Sequence, residues 1–263
     1  MPQHAASSPI AEESTQAQGV NGRLRLLDAL RGFSLVSMIG FHLCYDLVYL
    51  CGVDLAWFRP PLQDIWRSSI SWTFLLLAGV MCSMSRNNLK RAGKYAAFAV
   101  SIFVVTSIAS VDAPISFGII YCMAFSTFLF WLLQTLGIPP RGPIAAITFF
   151  ALFLLAYNVP RGFVGFAPVS MPLPRSLYES NLLSCLGFPG PEFISSDYYP
   201  PLPFSLLYLC GSSMGCWWHE RGFPKLFWTY GCPPLELIGR HSLLVYAIHQ
   251  PVLLGLVQLL FPS

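Results

Sequence analysis

Apolar residues in this chain come in long blocks, not at every second or third position. Seven windows stand out, at about 26–50, 68–85, 95–111, 115–136, 144–157, 202–218 and 237–260. A hydrocarbon layer is about 30 Å thick and a helix rises about 1.5 Å per residue, so roughly 20 such residues cross it. Backbone groups in lipid find no water, and a helix pairs them within itself. The pattern therefore predicts an all-α, polytopic integral membrane protein with about seven transmembrane helices. The five middle windows carry no charged residue, whereas the first holds Asp28, Arg31, His42 and Asp46.

The segments between the windows sharpen this reading. Residues 1–22 are rich in Ser, Ala, Gln and Glu and have no apolar period, which predicts a disordered tail and no signal peptide. The rest, 23–263, reads as a single transmembrane domain with a long external loop at about 158–200 that holds seven prolines. Loops of that length are usually functional or disordered. Within it, 182–188 is apolar but too short to cross, so it is expected on the membrane surface or re-entering. Alternate ends of the seven windows collect eleven Lys and Arg on one side and four on the other. By the positive-inside bias, the N-terminus is cytoplasmic.

Composition excludes other classes. Only 10% of the 263 residues are charged, 55% are hydrophobic, and the mean hydropathy is +0.59, which no water-soluble enzyme matches. A net charge of +3 without a basic face gives nothing to track a nucleic-acid backbone. The eight cysteines contain no C-x-x-C pair and mostly sit in apolar runs, so no metal site is expected.

Chemistry concentrates in the first and last windows. At about 100° per residue, Asp28, Arg31, His42, Asp46 and Tyr49 fall within about 60° of one another on one stripe. Ionisable groups in a span cost about 2.5–3.5 kcal/mol each and face protein or water. His42 and Asp46 are one turn apart, the spacing at which a carboxylate can hold an imidazole as a base is held in acyl transfer. His249 is a second candidate, because Pro251 lacks the N–H that would bond the Ala247 carbonyl. A neutral histidine bonded to a neighbouring helix remains the alternative for both rings. Asp28 and Arg31 either pair at a helix entrance or bind a substrate, while Arg240, at the cytoplasmic mouth of the last window, either belongs to a solvated face or binds a substrate. Arg86 and Lys90, in a basic cluster that runs to Lys94, mark topology and could attract an anionic donor. Asp197 opens a Tyr-Tyr-Pro string that reads as a surface turn or part of a site.

The run Leu27-Asp28-Ala29-Leu30-Arg31-Gly32 followed by Phe41-His42-Leu43-Cys44-Tyr45-Asp46-Leu47 resembles the heparan-alpha-glucosaminide N-acetyltransferase catalytic-domain family, especially its short bacterial members. Phe74–Gly79, Phe117-Gly118-Ile119, Asp197–Pro200 and Ile238–Ser242 through His249-Gln250-Pro251 are similar to it in the same order, over about 23–260. The resemblance implies a membrane enzyme that takes an acyl group from acetyl-CoA or another acyl-CoA in the cytosol. The acceptor would be a hydroxyl or amine of a glycan or other envelope molecule, in the inner membrane if the source is bacterial. His42 would be the base, Asp46 its support, and His249 a lining group. Asp28, Arg31, Asp197, Arg240, Arg86 and Lys90 would bind substrate or donor. The rivals are a proton-coupled transporter or flippase, with His42 and Asp46 as a relay, and a non-catalytic subunit of a glycan-assembly complex.

Overall fold

The computed structural model describes residues 23–109 and 112–261, so the tail at 1–22 lies outside the described residues. In chain order the helices are α1 (Arg25–Tyr49), α2 (Leu62–Cys82), α3 (Asn88–Ala109), α4 (Ile119–Thr135) and α5 (Gly142–Ala156). A short hairpin, β1 (Phe163–Phe166) and β2 (Val169–Pro172), precedes α6 (Pro201–Arg221), α7 (Leu226–Thr229), α8 (Pro233–Arg240) and α9 (Ser242–Leu260). The protein is therefore mostly helical, with one short two-stranded hairpin among the described residues.

Helices stand in all seven predicted windows, but among the described residues five segments are both long and apolar enough to cross: Arg25–Tyr49, Leu62–Cys82, Asn88–Ala109, Gly142–Arg161 and Ser242–Leu260. α4 has 17 residues, about 25 Å of rise. α6 is long enough, yet Ser205, Ser212, Ser213, His219, Glu220 and Arg221 dilute its apolar character. The last window, 237–260, is divided at His241 into the end of α8 and the whole of α9. Along α9, Leu244, Ile248, Val252, Leu256 and Leu260 are exposed at every fourth position, while His249, Leu253 and Val257 are buried. An exposed apolar stripe of this length belongs in hydrocarbon. The chain is an integral membrane protein.

The described residues fold as two compact units, one from Leu55–Arg221 and the other from residues 23–54 with 222–261. In the second of these, α1 lies against α7, α8 and α9. Leu27, Ala29, Leu35, Met38 and Phe41 supply the buried face of α1. At the α1–α8 crossing the backbones nearly touch, since a Cβ on Gly32 would lie 1.9 Å from the Leu235 carbonyl oxygen. Small residues are what permit such an approach between membrane helices.

The Leu55–Arg221 unit is built around α6. Gly79 of α2 faces the Tyr208 carbonyl of α6, and Gly211 and Gly215 of α6 face the carbonyls of Leu76 and Val80. Tyr208 is fully buried, and its hydroxyl shares a 2.9 Å hydrogen bond with Thr127 of α4. The loop at 158–200 is ordered by short turns: the apolar 182–188 stretch begins as the turn Asn181–Cys185, and Leu202 N–H donates to the Leu186 carbonyl.

Candidate functional site

Four side chains converge where α1 meets α9. His42 and His249 place their rings 5.1 Å apart between centroids, tilted by 54°. Asp46 lies one turn further along α1, is 1% exposed, and accepts two 3.1 Å hydrogen bonds from Gln250 Nε2, one on each carboxylate oxygen. The side chain that grips Asp46 is thus Gln250 and not His42, which differs from the expected His42–Asp46 pair. Both histidines fall on the stripe that their helices turn toward each other. Tyr49, at the last turn of α1, is 54% exposed, with its ring 4.6 Å from that of Tyr45.

The proton on His249 is located by its neighbour. Nδ1 lies 2.7 Å from the Tyr246 carbonyl oxygen, which can only accept, so Nδ1 carries the hydrogen. The neutral ring then has its lone pair on Nε2, a buried atom without a hydrogen-bond partner among the described residues. A buried imidazole with a fixed tautomer and an unoccupied lone pair can take a proton from a substrate. The supporting carbonyl belongs to Tyr246, not to Ala247, which Pro251 deprives of its usual donor.

At the α8 end of the same unit, two buried carboxylates are each held by two arginines. Asp28 accepts from Arg23 Nε at 3.1 Å and from Arg31 Nη2 at 2.9 Å. Glu236 accepts from Arg25 Nη2 at 3.0 Å and from Arg240 Nη2 at 3.3 Å. Arg25 thereby ties α1 to α8. Arg31 and Arg240 are thus seated on protein carboxylates, with Asp28 as the direct partner of Arg31. Gln250 and Glu236 were not among the expected site residues. Gln250 has a signal in the sequence, an amide beside His249 in an apolar run, while Glu236 lies just before the last window and carries only its four-residue spacing to Arg240.

The remaining expected residues lie in the Leu55–Arg221 unit. Arg86 and Lys90 are exposed at the start of α3, where Asn87 Oδ1 caps the Lys90 N–H at 2.8 Å. Asp197 Oδ2 accepts from the Ile119 N–H at 3.2 Å, placing a carboxylate at the first turn of α4. Tyr199 N–H donates to the Phe117 carbonyl, so the string clamps that helix start. Enclosure of the carboxyl pushes the Asp197 pKa up to about 6, against the Ile119 N–H and the Arg67 charge, which pull it down.

A pKa raised in the folded state means that the fold binds this proton more tightly than the unfolded chain does. The contribution is complete below about pH 4 and is lost as pH rises through about 6, at most about 3 kcal/mol. Thermal unfolding in detergent should accordingly show the parent losing stability between pH 4.5 and 7, with a flatter profile for Asp197→Asn, which keeps an oxygen for Ile119. Equal slopes for the two proteins would refute the assignment.

Apolar crossing helices that bury an imidazole pair, a carboxylate and arginine-held acids define an integral membrane protein with its ionisable groups gathered inside helices. The chain belongs to the heparan-alpha-glucosaminide N-acetyltransferase catalytic family, whose model matches residues 23–251. It is thus a membrane protein of an acetyltransferase family. Comparison with curated proteins and with solved structures returns no match.

Proposed function

We propose that this chain is a membrane acyltransferase that moves an acetyl or other acyl group from acyl-CoA to a hydroxyl or amine of a glycan or other envelope acceptor. The observation that carries the reading is the His249 tautomer, with Nδ1–H on the Tyr246 carbonyl and Nε2 buried and unpartnered beside His42. His249 Nε2 takes the proton of the acceptor as its oxygen or nitrogen attacks the thioester carbonyl. The carbon–sulfur bond then breaks, and the imidazolium returns the proton to the CoA thiolate. In this reading His249 takes the role of base that the resemblance implied for His42, and His42, ring against ring with it, orients the acceptor. Asp46 and Gln250 lock α1 to α9 and hold the two rings in place.

Donor phosphates are received on the cytosolic side. The eleven-to-four distribution of Lys and Arg supports a cytosolic side for the N-terminus, Arg31 and Arg240. Asp28 and Glu236 pre-orient those guanidinium groups. In the Leu55–Arg221 unit, Arg86 and Lys90 are exposed cations that attract a polyanion on their own account. In a bacterial source this side faces inward from the inner membrane.

The test is donor binding followed by transfer. Purified protein in nanodiscs is expected to bind radiolabelled acetyl-CoA saturably, with an affinity that weakens as salt rises. It is also expected to pass the label to an added amino sugar or glycan. A chain that neither binds the donor nor transfers the label would overturn the proposal and favour proton relay through the same histidines.

A further inference from the structure

The hairpin between α5 and α6 carries a sheet face with no use in the chemistry above. Its strands are antiparallel, with Phe163 opposite Pro172, Val164 opposite Met171, Gly165 opposite Ser170 and Phe166 opposite Val169. Directly opposed residues point to the same side, and alternate residues share a face. One face is therefore Val164, Phe166, Val169 and Met171, all apolar. Phe166 is 51% exposed, Met171 64% and Val169 84%. A two-stranded hairpin is marginal by itself in water, and an apolar face of this kind calls for a cover.

The position of the hairpin identifies the cover. The crossing segment runs from Gly142 to Arg161, so β1 starts two residues after it ends. Tyr157 follows the last residue of α5, and its ring stacks on that of Phe166, with centroids 6.3 Å apart and planes 17° from parallel. Phe166 is the last residue of β1 before the turn. The tip thus folds back beside the end of the membrane-crossing helix and does not project from it. Arg161 and Arg175, at the base of the hairpin, are exposed.

We propose that the Val164, Phe166, Val169 and Met171 face rests on the bilayer itself, in the leaflet where the Gly142–Arg161 span ends. The tip reaches the upper acyl chains, and Arg161 and Arg175 lie at the level of the lipid phosphates. This arrangement continues the lipid contact of α5 outward along the chain, and aromatic and basic residues are the usual anchors at that depth. It also fixes the loop at 158–200 against the membrane surface. The inference is independent of the acyltransferase reading.

Photo-crosslinking tests it in the whole protein. The crosslinker p-benzoylphenylalanine is placed at Val169, Met171 or Arg175, each variant is reconstituted in nanodiscs of phosphatidylcholine and phosphatidylglycerol, and the irradiated protein is weighed by mass spectrometry. The replacement is large and apolar, so it preserves the face at 169 and 171. Lipid adducts are expected at these two positions, several-fold above those at 175. Adducts as scarce at 169 as at 175, or crosslinks from 169 to a second copy of the chain, would overturn the proposal.

Discussion

His249→Ala is expected to lower acyl transfer by roughly 10²–10⁴-fold, the usual contribution of a positioned general base, while leaving acetyl-CoA binding intact. The Tyr246 carbonyl, 2.7 Å from Nδ1, accepts and cannot donate, so the imidazole keeps its hydrogen there and offers Nε2 to the acceptor. No protein group competes for that lone pair among the described residues. His249→Gln guards against a trivial loss of folding. It fills a similar volume and can still donate to the Tyr246 carbonyl, but it lacks a basic nitrogen. It should bind the donor like the parent and transfer as poorly as the alanine variant. His42→Ala, 5.1 Å away ring to ring, should raise the KM for the acceptor more than it lowers kcat, because it removes an orienting contact and not the base. Radiolabel transfer by purified proteins decides the matter. Parental rates from either His249 variant, with the donor bound normally, would remove His249 from the mechanism.

The amino-acid sequence carried much of this site and misdirected one part of it. The stripe from Asp28 to Asp46 was legible because helical periodicity fixes which side chains share a face, and their charge cost demands that the face meet protein or water. The partner of Asp46 was not legible. A four-residue spacing permits a His42–Asp46 bond, but it cannot show that α9 presents an amide at the same height, and Gln250 supplies both hydrogen bonds to the carboxylate. His249 drew notice through the Ala247 carbonyl left bare by Pro251, while the ring is held three residues back, by Tyr246. Hydropathy windows found every long helix, but they cannot register the break at His241. That break lets the short amphipathic α8 lie across α1 while α9 runs on beside it. Glu236 was hidden for the same reason. Outside a window it reads as an ordinary solvated acid, and only the crossing of α8 over α1 buries it between Arg25 and Arg240.

That crossing yields the largest expected effect on stability. A Cβ at Gly32 would stand 1.9 Å from the Leu235 carbonyl oxygen and 2.7 Å from its carbon, and a Cβ at Gly239 would stand 1.9 Å from the Asp28 carbonyl oxygen. The obstructing atoms are backbone on both sides, so no side chain can swing away. The helices would have to part by about 1 Å or more to reach ordinary contact. Parting them also draws Arg25 of the α1 side from Glu236 on α8, which leaves that buried acid with one of its two arginines. Gly32→Ala and Gly239→Ala are each expected to destabilise the protein by about 3 kcal/mol or more, above the usual range for an overpacked side chain. Gly255→Ala in α9 is the control, since nothing lies within 4 Å of its Cβ position. There the loss of backbone freedom in the unfolded chain should make alanine stabilising by about 0.5–1 kcal/mol. Unfolding in detergent, followed by helical signal, compares the three. The double variant Gly32→Ala with Gly239→Ala should cost clearly less than the two single costs together, because one separation of the helices relieves both clashes. Additive costs, or a Gly32→Ala protein as stable as Gly255→Ala, would show that the two helices do not meet backbone to backbone.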